Sequence, residues 1–172
     1  MPSLLSQQAL DTLFLQARTH NEWLDKPVDD ALLQRVWELA RMGPTSANCS
    51  PMRIVFVKTP EAKARLQPAL MESNRAKTLA APVTAIFGND SRFYDLLPKL
   101  FPHTDARAWF AGPGKEEVAA TTAFRNGTLQ AAYFMLAARA LGLACGPVSG
   151  FDNAVVDPAF FPDGRLQPNL IC

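Results

Sequence analysis

Thr45, Ser46, Asn48 and Cys49 crowd into Gly43-Pro44-Thr45-Ser46-Ala47-Asn48-Cys49-Ser50-Pro51-Met52, a stretch stiffened by a proline near either end. Proline fixes φ, and the short side chains carry donors and acceptors on stiff stems. Such a loop can hydrogen-bond a flat heterocycle or a phosphate, although its composition is equally that of a helix stop followed by a turn. Cys49 with His20 or His103 could form a thiol nucleophile and its base; a small buried cysteine explains the residue more simply. Ser46 and Ser149 have only those two histidines to recruit, and no GxSxG elbow is present. Phosphate-binding P-loops and a GxGxxG after a strand are also missing. The cysteines Cys49, Cys145 and Cys172 lie far apart with no CxxC spacing, which excludes a zinc ribbon and a disulfide scaffold and predicts no metal. The aspartates and glutamates show no paired arrangement. What remains is a set of polar loops at 18–21, 44–48 and 146–150, with Asn74 and Lys77 three apart on one helix face. Binding elements without a proton shuttle point to an organic cofactor that carries the difficult chemistry.

Positioning those loops requires a folded core, and the composition supplies one. The 172 residues are 48% apolar and 19% charged, which predicts one globular domain and excludes a disordered chain. Net charge is +1 with lysines and arginines scattered, so neither nucleic acid nor a membrane surface is an expected partner. No apolar run is long enough to span a bilayer. Leu5, Ala9, Leu10, Leu13, Phe14 and Ala17 recur at helical spacing without a basic leader, predicting an amphipathic helix rather than a signal peptide. Three scattered thiols suit a reducing, cytoplasmic setting.

A second amphipathic helix is predicted after Asp29, carried by Leu32, Leu33, Val36, Trp37 and Ala40 and stopped by Gly43-Pro44. Ile54-Val55-Phe56-Val57 lacks alternation and predicts a strand buried on both faces. Thr59-Pro60-Glu61 opens a short helix, another runs from about Met71 to Leu79, and Val83 to Gly88 is a second buried strand. Residues 89–114 are irregular and aromatic-rich, suited to a lid or to an oligomer interface. Lys115 to Leu141 predicts a long helix whose section Leu129 to Ala138 is apolar nearly all round, hence central and buried, with much of it covered by a second subunit. Gly146-Pro147-Val148-Ser149-Gly150 is a second stiff loop, Asn153 is placed as the cap of a short helix, and Leu170-Ile171-Cys172 begins a strand.

These pieces in this order resemble the FMN-dependent nitroreductase family: Arg18-Thr19 with Asn21 and Trp23, the PTSxNxxP loop, Asn74 and Lys77 before Ala81-Pro82, Leu141-Gly142-Leu143, and Pro147-Val148-Ser149-Gly150-Phe151. The resemblance implies an α+β fold, a central mixed sheet flanked by helices, and a homodimer with two FMN sites at the subunit interface. It implies that Arg18 and Thr19 hold the flavin phosphate, with Asn21, Asn74 and Lys77 at the pyrimidine edge. Pro44, Thr45, Ser46 and Asn48 would come from the partner chain, and Pro147, Val148, Ser149 and Gly150 would lie along the ring. The family also has a C-terminal tail beyond the last strand, which residues 1–172 as a single FMN-binding domain would lack. Within the family, ARTHNEW, GPTSANCSP, DARAWF and GPVSGFD are most similar to the malonic semialdehyde reductases of pyrimidine degradation. That likeness implies hydride passing from NADPH or NADH through FMN to a small aldehyde, giving 3-hydroxypropionate, with Arg107 gripping the substrate carboxylate. General nitro- or quinone-reduction and a non-catalytic flavin-binding dimer are the alternatives.

Overall fold

The computed structural model describes residues 4–172. Its organising element is the predicted long helix, α6 (Glu116–Ala140). Against it lies an antiparallel sheet of β1 (Met52–Val57), β2 (Thr84–Asp90) and β3 (Leu166–Ile171), in the order β1-β2-β3. Every residue of the central strand β2 is buried. Strand β1 is an edge, so Ile54, Val55 and Phe56 are only half-buried and the expectation of burial on both faces fails there. The sheet is antiparallel rather than mixed; among the described residues, parallel geometry is confined to a single bridge between Thr19 and Cys145.

Pro168 has no N–H to give the ladder, and the β2–β3 register shifts beside it. Leu170 faces Phe87 and Pro168 faces Gly88, leaving Asn169 as a bulge. Its amide bonds Thr128 Oγ1 at 3.1 Å on α6. Nearby, Gly127 brings the α6 backbone so close to β2 that an added Cβ would stand 1.8 Å from Asn89 Oδ1. Further along, Phe134 meets Phe87 edge-on at 5.2 Å in a core completed by Val36, Met52 and Ala131.

Only one side of α6 is buried. Phe124 is 60% exposed, Val118 47%, Leu129 48% and Tyr133 40%, so a single chain covers only one side of the helix. The predicted N-terminal helix is also shorter: α1 (Gln7–Leu10) widens into a π-helical turn over Asp11–Leu15. Helix α2 (Asp30–Ala40) follows Asp29 as expected and turns Leu33, Val36 and Ala40 inward. Thr59 caps α3 (Pro60–Leu66) by accepting the Ala62 N–H. Helix α4 (Glu72–Ala80) carries the Asn74 and Lys77 face. Residues 89–114 are not a plain loop: short turns and α5 (Leu97–Leu100) gather Phe93, Leu97, Ala106 and Phe110 into a satellite core with Cys49. Helix α7 (Asn153–Phe160) is capped by Asp152, not Asn153, through the Ala154 N–H at 2.8 Å. Among the described residues no helix is long and apolar enough to cross a membrane.

The buried carboxylate of Asp90 at the end of β2 is held by Arg53 at 3.0 Å and Arg165 at 2.8 Å. Burial alone would raise its pKa; hydrogen bonds from Arg165 and the Arg92 N–H, with the charges of Arg53 and Arg165, outweigh it and hold the group below the ordinary range. A depressed folded-state pKa adds stability above the unfolded value of about 4 and loses it as pH falls through the folded one. Asp90→Asn is therefore expected to cost about 1.5–3 kcal/mol at pH 7. In urea denaturation the gap to wild type should close below about pH 4; a gap independent of pH would contradict this.

Candidate functional site

Residues 145–151, a strap that follows α6, belong to no named strand, yet they tie three elements together. Cys145 bridges Thr19, Val148 bridges Ile171, and Phe151 bridges Leu70. The His20 N–H bonds the Cys145 carbonyl at 3.0 Å, Val148 and Ile171 exchange bonds of 2.8 and 3.1 Å, and the Met71 N–H reaches the Gly150 carbonyl at 3.2 Å. Two glycines make this possible. A Cβ on Gly146 would lie 2.6 Å from the His20 carbonyl and 2.9 Å from the Trp23 ring; one on Gly150 would lie 2.7 Å from Asn74 Nδ2.

The strap brings Asn21, Asn74, Lys77 and Gly150 together. Lys77 Nζ donates to Asn21 Oδ1 at 3.1 Å, and Asn74 Nδ2 donates to the Gly150 carbonyl at 3.2 Å. Trp23, not predicted as a site residue, donates its indole N–H to the Lys77 carbonyl at 2.7 Å and so fixes where that lysine starts. Among the described residues, the N–H groups of Ser149 and Gly150 have no protein acceptor and are available to a ligand, while that of Val148 is engaged. Arg18 and Thr19 are exposed one step along the same segment. The Arg18 guanidinium rests on the Leu15 and Ala17 carbonyls at 3.0 and 2.7 Å and borders a hollow of about 250 Å³ with His20 and Arg139. Two arginines beside a hollow suit a phosphate, and free backbone N–H groups beside a lysine and two amides suit the polar edge of a heterocycle. The donor set fits a flavin nucleotide.

Pro44, Thr45, Ser46 and Asn48 lie elsewhere. Their loop docks on α6, where Asn126 Oδ1 accepts the Ser46 N–H and Gln130 Oε1 accepts the Met52 N–H, both at 2.9 Å. Asn48 Nδ2 reaches the Leu100 carbonyl at 3.3 Å, and Thr45 Oγ1 accepts the Ser50 N–H at 3.2 Å. Ala47, Asn48 and Ser50 all have positive φ, at 50°, 52° and 39°. Left-handed backbone at non-glycine residues is strained, and strain of this kind gathers at binding loops. Among the described residues no hydrogen bond joins this loop to the Asn21–Asn74–Lys77 cluster. Sequence reasoning missed Asn126 and Gln130, although two amides four apart on an apolar helix were a visible signal.

Cys49 is fully buried, and burial pushes its thiol up to about 11 despite the Thr45 hydroxyl, so it is no nucleophile. Among the described residues no three histidines, cysteines or carboxylates stand close enough to hold a metal. Arg107 is exposed but already engaged, 3.6 Å from Asp95 and over the Tyr94 ring at 5.9 Å. The larger cavity, about 730 Å³, lies behind the strap; it shares His20, Trp23, Cys145 and Gly146 with it and is otherwise mostly apolar, with Phe56 and Phe134 in its wall. Arg18 and Arg139 face the smaller hollow, whereas the larger one holds Lys26 together with Glu22, so the smaller is the better candidate for an anionic ligand. Gly146→Ala is expected to displace the Arg18–Trp23 segment at a cost of about 1–3 kcal/mol. A thermal melt unchanged from wild type would show that the close approach is not needed.

The profile of the nitroreductase family matches residues 15–167. A Burkholderia lata protein, provisionally named NADH dehydrogenase/NAD(P)H nitroreductase, is 64% identical over 167 residues, 97% of this chain and 85% of its own. The fold is similar to that of a Bacillus subtilis protein described as a nitroreductase, ydfN (TM-score 0.86, 20% identity, 96% of this chain and 87% of that one). It is also similar to an Exiguobacterium sibiricum nitroreductase solved in complex with FMN (TM-score 0.80, 16% identity, 99% and 88%). A match over nearly the whole chain, on a strap-and-helix frame of the expected order, makes this protein a member of the nitroreductase family.

Proposed function

We propose that the chain is an FMN-dependent NAD(P)H oxidoreductase whose cofactor lies along the strap at residues 147–150. The observation that carries this reading is the meeting of Lys77–Asn21 and Asn74–Gly150 beside the free Ser149 and Gly150 N–H groups. Held there, FMN would supply the chemistry of hydride transfer between NADH or NADPH and an acceptor. Arg18, with Thr19, forks the phosphate. Lys77 would bring positive charge to the flavin and so favour electron acceptance, and Asn74 and Asn21 would orient it by hydrogen bonding. Pro44, Thr45, Ser46 and Asn48 sit on a different face, so they serve the cofactor of a second copy in a homodimer, in keeping with the bare apolar side of α6. Three free thiols are in keeping with a cytoplasmic location.

Two acceptor classes follow. Broad reduction of nitro compounds and quinones is favoured by the Asp95–Arg107 pair, which leaves little free charge to select a carboxylate. Reduction of a small aldehyde, malonic semialdehyde to 3-hydroxypropionate in pyrimidine degradation, requires Arg107 to exchange Asp95 for the substrate. Anaerobic reduction of FMN-loaded protein by NADH and by NADPH, followed by reoxidation with malonic semialdehyde, nitrofurazone or menadione, separates them. A colourless preparation that gains no flavin would sink the whole reading and leave at most a non-catalytic dimer.

Lys77→Met is expected to lower the flavin midpoint potential and slow anaerobic reduction roughly tenfold to a hundredfold or more, on the scale of losing one electrostatic donor. An unshifted potential would remove Lys77 from the site. Under the aldehyde reading, Arg107→Ala should raise KM for malonic semialdehyde far more than for an uncharged aldehyde; equal effects favour the broad reductase.

A further inference from the structure

Two aspartates at and after the end of β2 each gather a pair of arginines, and the two gatherings differ. At Asp90, whose side chain is 2% exposed, the donors are spent. Arg165 gives Nε and Nη2 to the carboxylate at 2.8 and 2.9 Å, and Arg53 divides its donors among Asp90 and the Ser50 and Met52 carbonyls. At Asp95 they are not. Arg92 meets one carboxylate oxygen at 3.0 Å, while Arg107 stands 3.6 Å from the other, beyond hydrogen-bond reach. Among the described residues neither guanidinium has a further protein acceptor, and the two side chains are 59% and 47% exposed. Most of their N–H donors therefore face solvent. Exposed ion pairs contribute little stability, and a second guanidinium on an occupied carboxylate contributes less, because the two cations repel. Yet both arginines are held in place. The Arg92 N–H donates to Asp90 Oδ1 at 2.9 Å, and the Arg107 guanidinium lies over the Tyr94 ring at 5.9 Å. Phe93, Leu97 and Phe110 anchor the same segment in the satellite core.

We propose that Arg92 and Arg107 form a binding site for a phosphate monoester, and that its ligand is the 2′-phosphate by which NADPH differs from NADH. The assignment rests on the NAD(P)H oxidoreductase reading above. Charge decides the class of anion. Arg92 and Arg107 carry two positive charges against the one negative charge of Asp95. A monocarboxylate would only replace the carboxylate already tethered there, and gains little by doing so. A phosphate monoester brings about −1.5 to −2 charges at neutral pH and three acceptor oxygens, so it engages both guanidinium forks through donors that Asp95 leaves unused. The other acid of the segment, Asp105, turns its carboxylate to the Ala108 N–H. Trp109, two residues after Arg107, is 49% exposed and offers a ring face to the adenine. The segment is also joined to the loop at 44–50. Asn48 Nδ2 bonds the Leu100 carbonyl at 3.3 Å, and Cys49 packs into the same satellite core. The phosphate site and the loop proposed to serve the cofactor of a second copy thus form one body.

The test is calorimetric titration of the flavin-loaded full chain with adenosine 2′,5′-bisphosphate and with adenosine 5′-diphosphate, which has no 2′ group. The bisphosphate is expected to bind roughly tenfold more tightly or better, as charge-assisted arginine–phosphate bonds allow. The difference should shrink with added salt, because the site is exposed. Arg92→Ala and Arg107→Ala should each remove most of it, and Arg92→Lys should keep part, having charge without the fork. Arg35→Ala, exposed on α2, should leave it intact. In anaerobic flavin reduction, Arg92→Ala should move the NADPH-to-NADH preference about tenfold towards NADH. Equal affinity for the two nucleotides, or a preference that survives both alanine substitutions, overturns the proposal and leaves the oxidoreductase reading standing. A chain that gains no flavin sinks that reading and this assignment with it. Should an alanine variant fail to fold, phenylglyoxal labelling of the wild-type chain, read by peptide mass, decides instead. The bisphosphate should slow labelling of Arg92 and Arg107 and the diphosphate should not; equal labelling counts against the site.

Discussion

The segment from Cys145 to Phe151 lends its backbone to others: its bridges go to Thr19, Ile171 and Leu70. Those partners lead respectively into the Arg18–Trp23 segment, the sheet and α4, so a few hydrogen bonds fix where Arg18, Asn21, Asn74 and Lys77 stand relative to one another. A backbone bond is worth only about 1 kcal/mol net. Its geometric consequence here is larger, because each one locates a separate element at the edge of the same strap. Proline at 147 and the tight contacts at Gly146 and Gly150 leave the strap few alternative shapes.

The loop at 44–50 follows the opposite logic. It holds three left-handed non-glycine residues, each costing on the order of 1–3 kcal/mol. That cost is borne by Asn126, Gln130 and the Thr45 hydroxyl, which satisfy the N–H groups of Ser46, Met52 and Ser50. The loop is therefore shaped by α6, while the strap is shaped by the sheet. The two groups of polar residues therefore stand on different supports within one chain.

Much of this is legible in the amino-acid sequence alone. Thr59-Pro60 announces α3 because a hydroxyl cap and a proline at the first helical position are local chemistry, and the Asn74–Lys77 spacing holds because helical geometry fixes it. Errors arise where the deciding contact is distant. Strand β1 reads as doubly covered, yet strand order places it at an edge. Asp152 takes the cap from Asn153 by a single residue. The order and spacing of the polar loops do not reveal that the loops stand on two separate supports.

Gly127 touches none of the groups assigned to the ligand, yet it sits next to Asn126, which holds the strained loop, and its missing Cβ sets how near α6 may come to Asn89 on β2. A methyl group there would lift the helix from the sheet and carry the loop anchor with it. Variation at position 127 would then disturb both the packing of α6 on the sheet and the loop that α6 anchors. A residue that touches no candidate ligand group can thus still set the shape of the candidate site, by acting as a spacer between two elements.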